Sequence, residues 1–238
     1  MNEQHFEIGE TKIVLLPADG VWMPSVNGLF YANAIKIGQG ERVLDIGTGS
    51  GVLAIMAAKR GATVEATDTD ERAIQSSLKN AVINQVEFKT HFGAMFADCS
   101  GTFDVIMANL PNEIVAPSEL QKIDQKDAKV FEGGERGNEF ILELLEKASN
   151  YMTSSSRLYF ALHTLTDYHQ TLEAALEKYE MRLLSFARLP VKDFISADLD
   201  FYKPLNDSGV IHIYSDMGRW YSLGYVYECK LKALENRR

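Results

Sequence analysis

Asp45-Ile46-Gly47-Thr48-Gly49-Ser50-Gly51 joins two segments of different period. Before it, RVLDI (42–46) is a compact apolar run of strand length. After it, VLAIMAAKRG (52–61) has apolar residues at helical spacing and stops at Gly61. Three glycines in alternation between a strand and a helix mark a tight turn. Side chains there would obstruct both the turn and the approach of a ligand to the backbone. The helix that follows offers its unpaired N–H groups and the positive end of its dipole to whatever sits over the turn.

Outward from this junction the strand-then-helix rhythm continues. TVEAT (63–67) is a strand ending at Asp68, ERAIQSSLKNAVIN (71–84) a helix, and VEFKTH (86–91) and FDVIMAN (103–109) are strands. NEFILELLEKASNYM (138–152) is an amphipathic helix and RLYFAL (157–162) a strand. YHQTLEAALEKYE (168–180) is a helix and MRLLSFARL (181–189) a strand. Alternation of this kind implies right-handed crossovers and a parallel sheet covered on both faces. Upstream, KIVLL (12–16) reads as a strand, PADGVWMPSVNG as a loop, and LFYANAIKI (29–37) as a helix ending at Gly38. Residues 190–222 have no sustained period, and YVYECKLKAL (225–234) reads as a final strand, antiparallel beside 181–189. A single domain over 1–238 results: a lead-in (1–40), a cofactor-binding core (41–189), a lid insertion (190–222), and a last strand with its tail (223–238).

Composition narrows the functional classes. The 238 residues are 46% apolar, enough for a sizeable core, and no run of eighteen apolar residues is present to span a bilayer. The opening MNEQHFEIGE is polar and acidic, unlike a signal or transit peptide, and the two cysteines, Cys99 and Cys229, form no zinc-site spacing. A reduced, cytoplasmic protein without a membrane span is expected. Net charge of −9 and a pI near 5.1 weigh against a nucleic-acid partner, which calls for a basic surface.

The ligand of the glycine turn is narrowed by spacing. A dinucleotide fingerprint needs G-x-G-x-x-G, and here the third glycine falls one residue early. The pattern is instead acid-x-G-x-G-x-G, which resembles motif I of class I S-adenosylmethionine-dependent methyltransferases. The resemblance implies that Gly47, Thr48, Gly49 and Gly51 wrap the amino-acid part of that cofactor, with Asp45 facing its ammonium directly or through water. Asp68, ending the next strand, suits the two ribose hydroxyls of either NAD or S-adenosylmethionine. Thr69 or Asp70 then caps the helix that follows.

A second motif, Asn109-Leu110-Pro111-Asn112, ends the strand 103–109. With MPSVNG upstream and GGERG downstream, it resembles the N-P-P-Y motif IV of the HemK/PrmC branch of glutamine methyltransferases and their amino-methylating relatives. Asn109 and Pro111 are retained; Leu110 and Asn112 replace the first proline and the stacking aromatic. The motif's P-x-x-D-T-like companion is Pro24-Ser25-Val26-Asn27-Gly28, and Gly93-Ala94 stands where a Gly-Asp often follows the third strand. The resemblance implies a doubly wound, mostly parallel seven-stranded sheet with an antiparallel last strand. It also implies that Asn109 and Pro111 align an acceptor N–H group behind the methyl carbon.

Three further residues are substrate candidates. Trp22 lies in the proline-flanked loop, Asn112 ends motif IV, and His163 follows strand 157–162, where a base could reach the pocket. The spacing of Asp167, His163 and His169 does not suit a metal site, and none is expected. Asp193, Asp198 and Asp200 read as a solvated loop, or as a site for a cationic substrate if the insertion folds over the pocket. The expected activity is N-methylation of an amide or amine in a protein glutamine or a small metabolite. The alternatives are O- or N-methylation of a small natural product enclosed by 190–222, or a non-catalytic cofactor-binding module. A homodimer or a small activating partner is compatible with either catalytic reading.

Overall fold

The computed structural model describes residues 2–121 and 133–233. A short hairpin, β1 (Gln4–Ile8) and β2 (Thr11–Leu15), precedes α1 (Val26–Ala34). Then come β3 (Arg42–Ile46), α2 (Val52–Lys59), β4 (Thr63–Asp68), α3 (Glu71–Ile83), β5 (Lys89–Phe92) and β6 (Phe103–Ala108). A single turn, α4 (Pro117–Leu120), is followed by α5 (Glu139–Ala148), β7 (Met152–His163), α6 (Tyr168–Lys178) and β8 (Tyr179–Pro190). The chain closes with α7 (Asp193–Ala197), α8 (Leu199–Asp207), β9 (Tyr214–Asp216) and β10 (Arg219–Leu231).

The main sheet runs β5-β4-β3-β6-β7-β10-β8, with β9 paired to β10. The pairs from β5 through β7 are parallel, and β10 is antiparallel to both β7 and β8. This is the mostly parallel, Rossmann-like sheet with an antiparallel last strand that the resemblance implies, with the short β9 joining as an eighth strand where seven were expected. Strand order reverses around β3, so a crevice opens beyond the C-terminal ends of β3 and β6, where open α/β sheets bind their ligands. On one face, Val43, Val105 and Met107 pack against Tyr31, Leu53 and Met56 of α1 and α2. On the other, Leu44, Ile106 and Phe160 pack against Ile141, Leu144 and Leu145 of α5. Strands buried on both faces lack polar–apolar alternation, which is why RVLDI and FDVIMA are mostly apolar, interrupted by Arg42, Asp45 and Asp104 alone.

Several boundaries differ from the sequence reading, each for a local reason. The helix expected at 29–37 begins at Val26, because the Ser25 hydroxyl accepts from Gly28 N at 3.1 Å and caps it. β1 lies in a stretch read only as a polar lead-in; it buries Ile8 alone, too little for periodicity to register. β10 starts six residues before the expected 225, because Met217-Gly218 turns it out of β9. The expected strand end at 234, the tail to 238 and residues 122–132 of the expected core lie outside the described residues. Among the described residues no helix is long and apolar enough to cross a membrane.

Two polar bridges seat the upstream segment against the sheet. The buried Tyr31 hydroxyl donates to Tyr159 O (2.8 Å) and accepts from Ala108 N (2.9 Å), fixing α1 beside the end of β6. Asn80 of α3 accepts from Leu16 N (2.8 Å) and donates to Ser50 O (2.9 Å), joining β2 to the glycine turn.

Candidate cofactor and acceptor site

A cavity of about 580 Å³ occupies the crevice. Residues 20–28 form one wall; the turns after β3, β4, β5 and β6 form the floor, and His163 and Lys192 close the far end. Gly47, Thr48 and Gly49 line it, with Asp68 and Thr69 beside them. Trp22, Asn109, Pro111, Asn112 and His163 line the remainder, so most of the candidate residues converge although they span 142 positions from Trp22 to His163.

The glycine turn has the shape of a cradle. Gly47 sits at φ +71°, and a Cβ there would lie 3.0 Å from Leu110 Cδ2, so side chains at this point would fill the space between the two loops. Asp68 ties the turn down from the neighbouring strand: Gly49 N donates to its Oδ2 and Asp70 N to its Oδ1, each at 2.9 Å. Burial, opposed by these backbone N–H groups, raises the Asp68 carboxyl above the usual range. Asp70 caps α3 by accepting from Arg72 N at 2.9 Å, leaving Thr69 in the cavity wall.

Two candidates fall elsewhere. Asp45 does not line the cavity; it is fully buried at the end of β3. Its Oδ2 accepts from Thr48 Oγ1 (2.8 Å) and Ala54 N (3.1 Å), while Oδ1 is buried with no partner among the described residues. Burial pushes its carboxyl up to about 7, against the lowering pull of those two bonds. Direct contact with a ligand ammonium is therefore replaced by support of the turn from beneath. Gly51 is likewise outside the cavity lining: it is the left-handed N-cap of α2, where the backbone packs against Ser77 of α3.

The Asp45 shift has a measurable consequence. The folded state retains a proton that the unfolded chain releases near 3.8, so stability falls as pH rises from about 4 to about 7 and then levels off. Urea unfolding of the ligand-free protein at pH 5 and pH 8 will show this slope. Asp45→Asn flattens it; an unchanged slope would assign it to other groups.

At the acceptor end, Asn109 Nδ2 faces Gly28, where a Cβ would lie 3.3 Å away. The upstream MPSVNG segment and motif IV thus meet in space. Asn112 is turned inward and serves the backbone: its Nδ2 donates to Leu110 O (2.8 Å) and its Oδ1 accepts from His163 N (3.2 Å). Each polar atom thus makes one bond to the backbone, which fixes the side chain in the cavity wall. His163 is only 8% exposed, and burial lowers its imidazole below the usual range.

Two side chains that sequence reasoning missed stand beside it. Glu113 directly follows motif IV, and Lys192 arrives from the segment after β8; Lys192 Nζ donates to Glu113 Oε2 at 2.6 Å. Adjacency to motif IV was the available signal for Glu113; Lys192 had none, being 79 positions away. Of the acids read in 190–222, Asp193, Asp198 and Asp200 are absent from the cavity lining, and Asp198 accepts from Ser118 Oγ at 2.7 Å. The later aromatics, including Tyr202, Phe194 and Trp220, pack with Ile114 and Leu165 in a small core of their own. Asp167 caps α6 and pairs with Arg136, away from His169.

The donor set fits S-adenosylmethionine: an open glycine turn, a half-buried acid at the second strand, and an acidic, partly apolar cavity with Asp68, Asp70, Glu113 and Glu143 in its walls. The protein-family model that matches, over residues 30–120, is described as Ribosomal protein L11 methyltransferase (PrmA). A curated L11 methyltransferase from Wolinella succinogenes is 50% identical over 72 residues, 30% of this chain and 26% of the relative. This chain thus spans about a quarter of the length of such relatives. A Methanocaldococcus jannaschii protein, whose N5-glutamine methyltransferase assignment is itself inferred, is 28% identical over 167 residues, 70% of this chain and 83% of that one. Among solved structures, a Thermus thermophilus 16S rRNA N2 G1207 methyltransferase aligns with a TM-score of 0.58 at 15% identity, over 94% of this chain and 50% of that one, a likeness of fold. The expected placement in the HemK/PrmC branch is corrected by the family match, which falls on the L11 methyltransferases. S-adenosylmethionine is the cofactor that the fold and the matching family model imply.

Proposed function

We propose that this chain is an S-adenosylmethionine-dependent methyltransferase acting on an amide or amine nitrogen of a protein side chain or small metabolite. The observation that carries the reading is the single cavity joining the glycine turn and Asp68 to Asn109 and Pro111. When bound, the cofactor supplies an electrophilic methyl group on a sulfonium. Gly47 and Gly49 leave room for its amino-acid portion, and Asp68 keeps free lone pairs for ribose hydroxyls beyond the two backbone bonds it accepts. Asp45 stiffens the turn through Thr48 and Ala54.

Asn109 orients the acceptor. Its Nδ2 is turned to Gly28, so its Oδ1 remains to accept an acceptor N–H and to aim the nitrogen lone pair. Pro111 holds the loop in the extended geometry this requires. Alignment is the principal contribution such a site can make, because the donor is already reactive. The acceptor end is narrowed by the buried His163 and by Lys192, which favours a small molecule or an inserted side chain over an extended nucleic acid.

Titration calorimetry with S-adenosylmethionine and with NAD tests the reading. S-adenosylmethionine should bind preferentially, and Asp68→Ala should weaken it roughly 10- to 100-fold, the range for losing hydrogen bonds to a charged group. Preference for NAD would overturn the assignment.

A further inference from the structure

The acceptor end of the cavity contains a buried ring nitrogen with nothing to bond. Among the described residues His163 Nδ1 has no hydrogen-bond partner, and it stands 3.9 Å from Glu113 Oε1, too far for a hydrogen bond. The other ring nitrogen faces the opposite way: a Cβ at Gly224 of β10 would lie 3.8 Å from Nε2. Glu113 is held from its far side, its Oε2 accepting from Lys192 Nζ at 2.6 Å. All three residues line the cavity beside Asn109.

We propose that His163 takes up the proton that the acceptor loses during methyl transfer, with Lys192 disfavouring a proton on its ring beforehand and Glu113 stabilising the imidazolium afterwards. This rests on the methyltransferase reading and extends it to the class of acceptor, a neutral N–H or O–H nucleophile. The nucleophile–carbon bond forms as the carbon–sulfur bond of the cofactor breaks, leaving its electron pair on sulfur, and the N–H or O–H proton passes to Nδ1. The imidazolium so formed becomes a donor facing the Glu113 carboxylate.

The charges around the ring serve both halves of this cycle. Burial and the Lys192 ammonium favour neutral imidazole, while Glu113 favours imidazolium. Lys192 thus offsets the pull of the Glu113 carboxylate for a charged ring before the acceptor arrives. Glu113 comes from the turn after β6 and Lys192 from the segment preceding α7, while on the Nε2 side the ring approaches Gly224 of β10, itself packed against Leu189 of β8. Glu113 and Lys192 are the charged groups that act on the ring among the described residues. Asn112 anchors the arrangement by accepting from His163 N.

Nitrogen NMR of the full chain labelled in its five histidines tests the resting state, with His163→Asn assigning the resonance. His163 should be neutral at pH 7 with Nδ1 unprotonated; a proton on Nδ1 would overturn the proposal. Transfer of tritiated methyl from S-adenosylmethionine to cell extract tests the cycle. His163→Asn should retain cofactor affinity but lower incorporation about 100-fold or more, the range for losing a general base. Lys192→Met should move the acidic limb of the pH profile to higher pH and Glu113→Gln to lower pH, opposite shifts that a packing role does not produce. Equal incorporation by wild type and His163→Asn, or coincident pH profiles, would remove the proton role while leaving methyl transfer standing. No incorporation by the wild type would instead overturn the methyltransferase reading, and the proton role with it.

Discussion

Asn109→Ala lowers the turnover of methyl transfer about 100-fold while leaving S-adenosylmethionine affinity nearly unchanged. The size follows from what a misaligned nucleophile costs when the reacting atoms must meet in line, where displacements near 1 Å forfeit about that much rate. The separation of the two effects follows from position: Asn109 faces Gly28 and the acceptor end, whereas the glycine turn is held by Asp68. Single-turnover transfer of labelled methyl, with calorimetry on the same variant, measures both. Loss of cofactor affinity in step with turnover would place Asn109 in cofactor binding instead.

Gly51→Ala destabilises the fold by about 2–5 kcal/mol. The residue is at φ +86°, where a Cβ costs about 1–2 kcal/mol. The added atom would also lie 2.9 Å from Ser77 Cβ and 3.0 Å from its Cα, so α2 and α3 must separate, an overpacking cost of roughly 1–3 kcal/mol. Gly40→Ala provides the comparison: φ is +79° but nothing lies within 4 Å, so only the backbone cost applies. Denaturant unfolding of the two variants separates these contributions. Equal losses would show that the helix contact yields without cost.

The third glycine therefore has a different task from the one its motif implies. Gly47 and Gly49 face the cavity, while Gly51 allows two helices to approach; acid-x-G-x-G-x-G is equally consistent with either assignment until α3 is in place. Asp45 shows the same ambiguity. An acid before a glycine turn reads as a ligand for a cation, yet its position at the end of a strand covered on both faces takes it out of contact with the cavity. Asn112 lines the cavity as expected, and its oxygen also anchors the backbone by accepting from His163 N.

The order of strands and helices from residue 42 to 190, the glycine turn and the acid ending the second strand were legible in the amino-acid sequence. These depend on periodicity, turn chemistry and spacing within a few residues, and such local preferences persist in any packing. The pairing of Lys192 with Glu113, the open Nδ1 of His163 and the inward burial of Asp45 were decided only by tertiary structure. Each depends on which side chains from distant segments exclude water from one another, and neither period nor spacing encodes that distance.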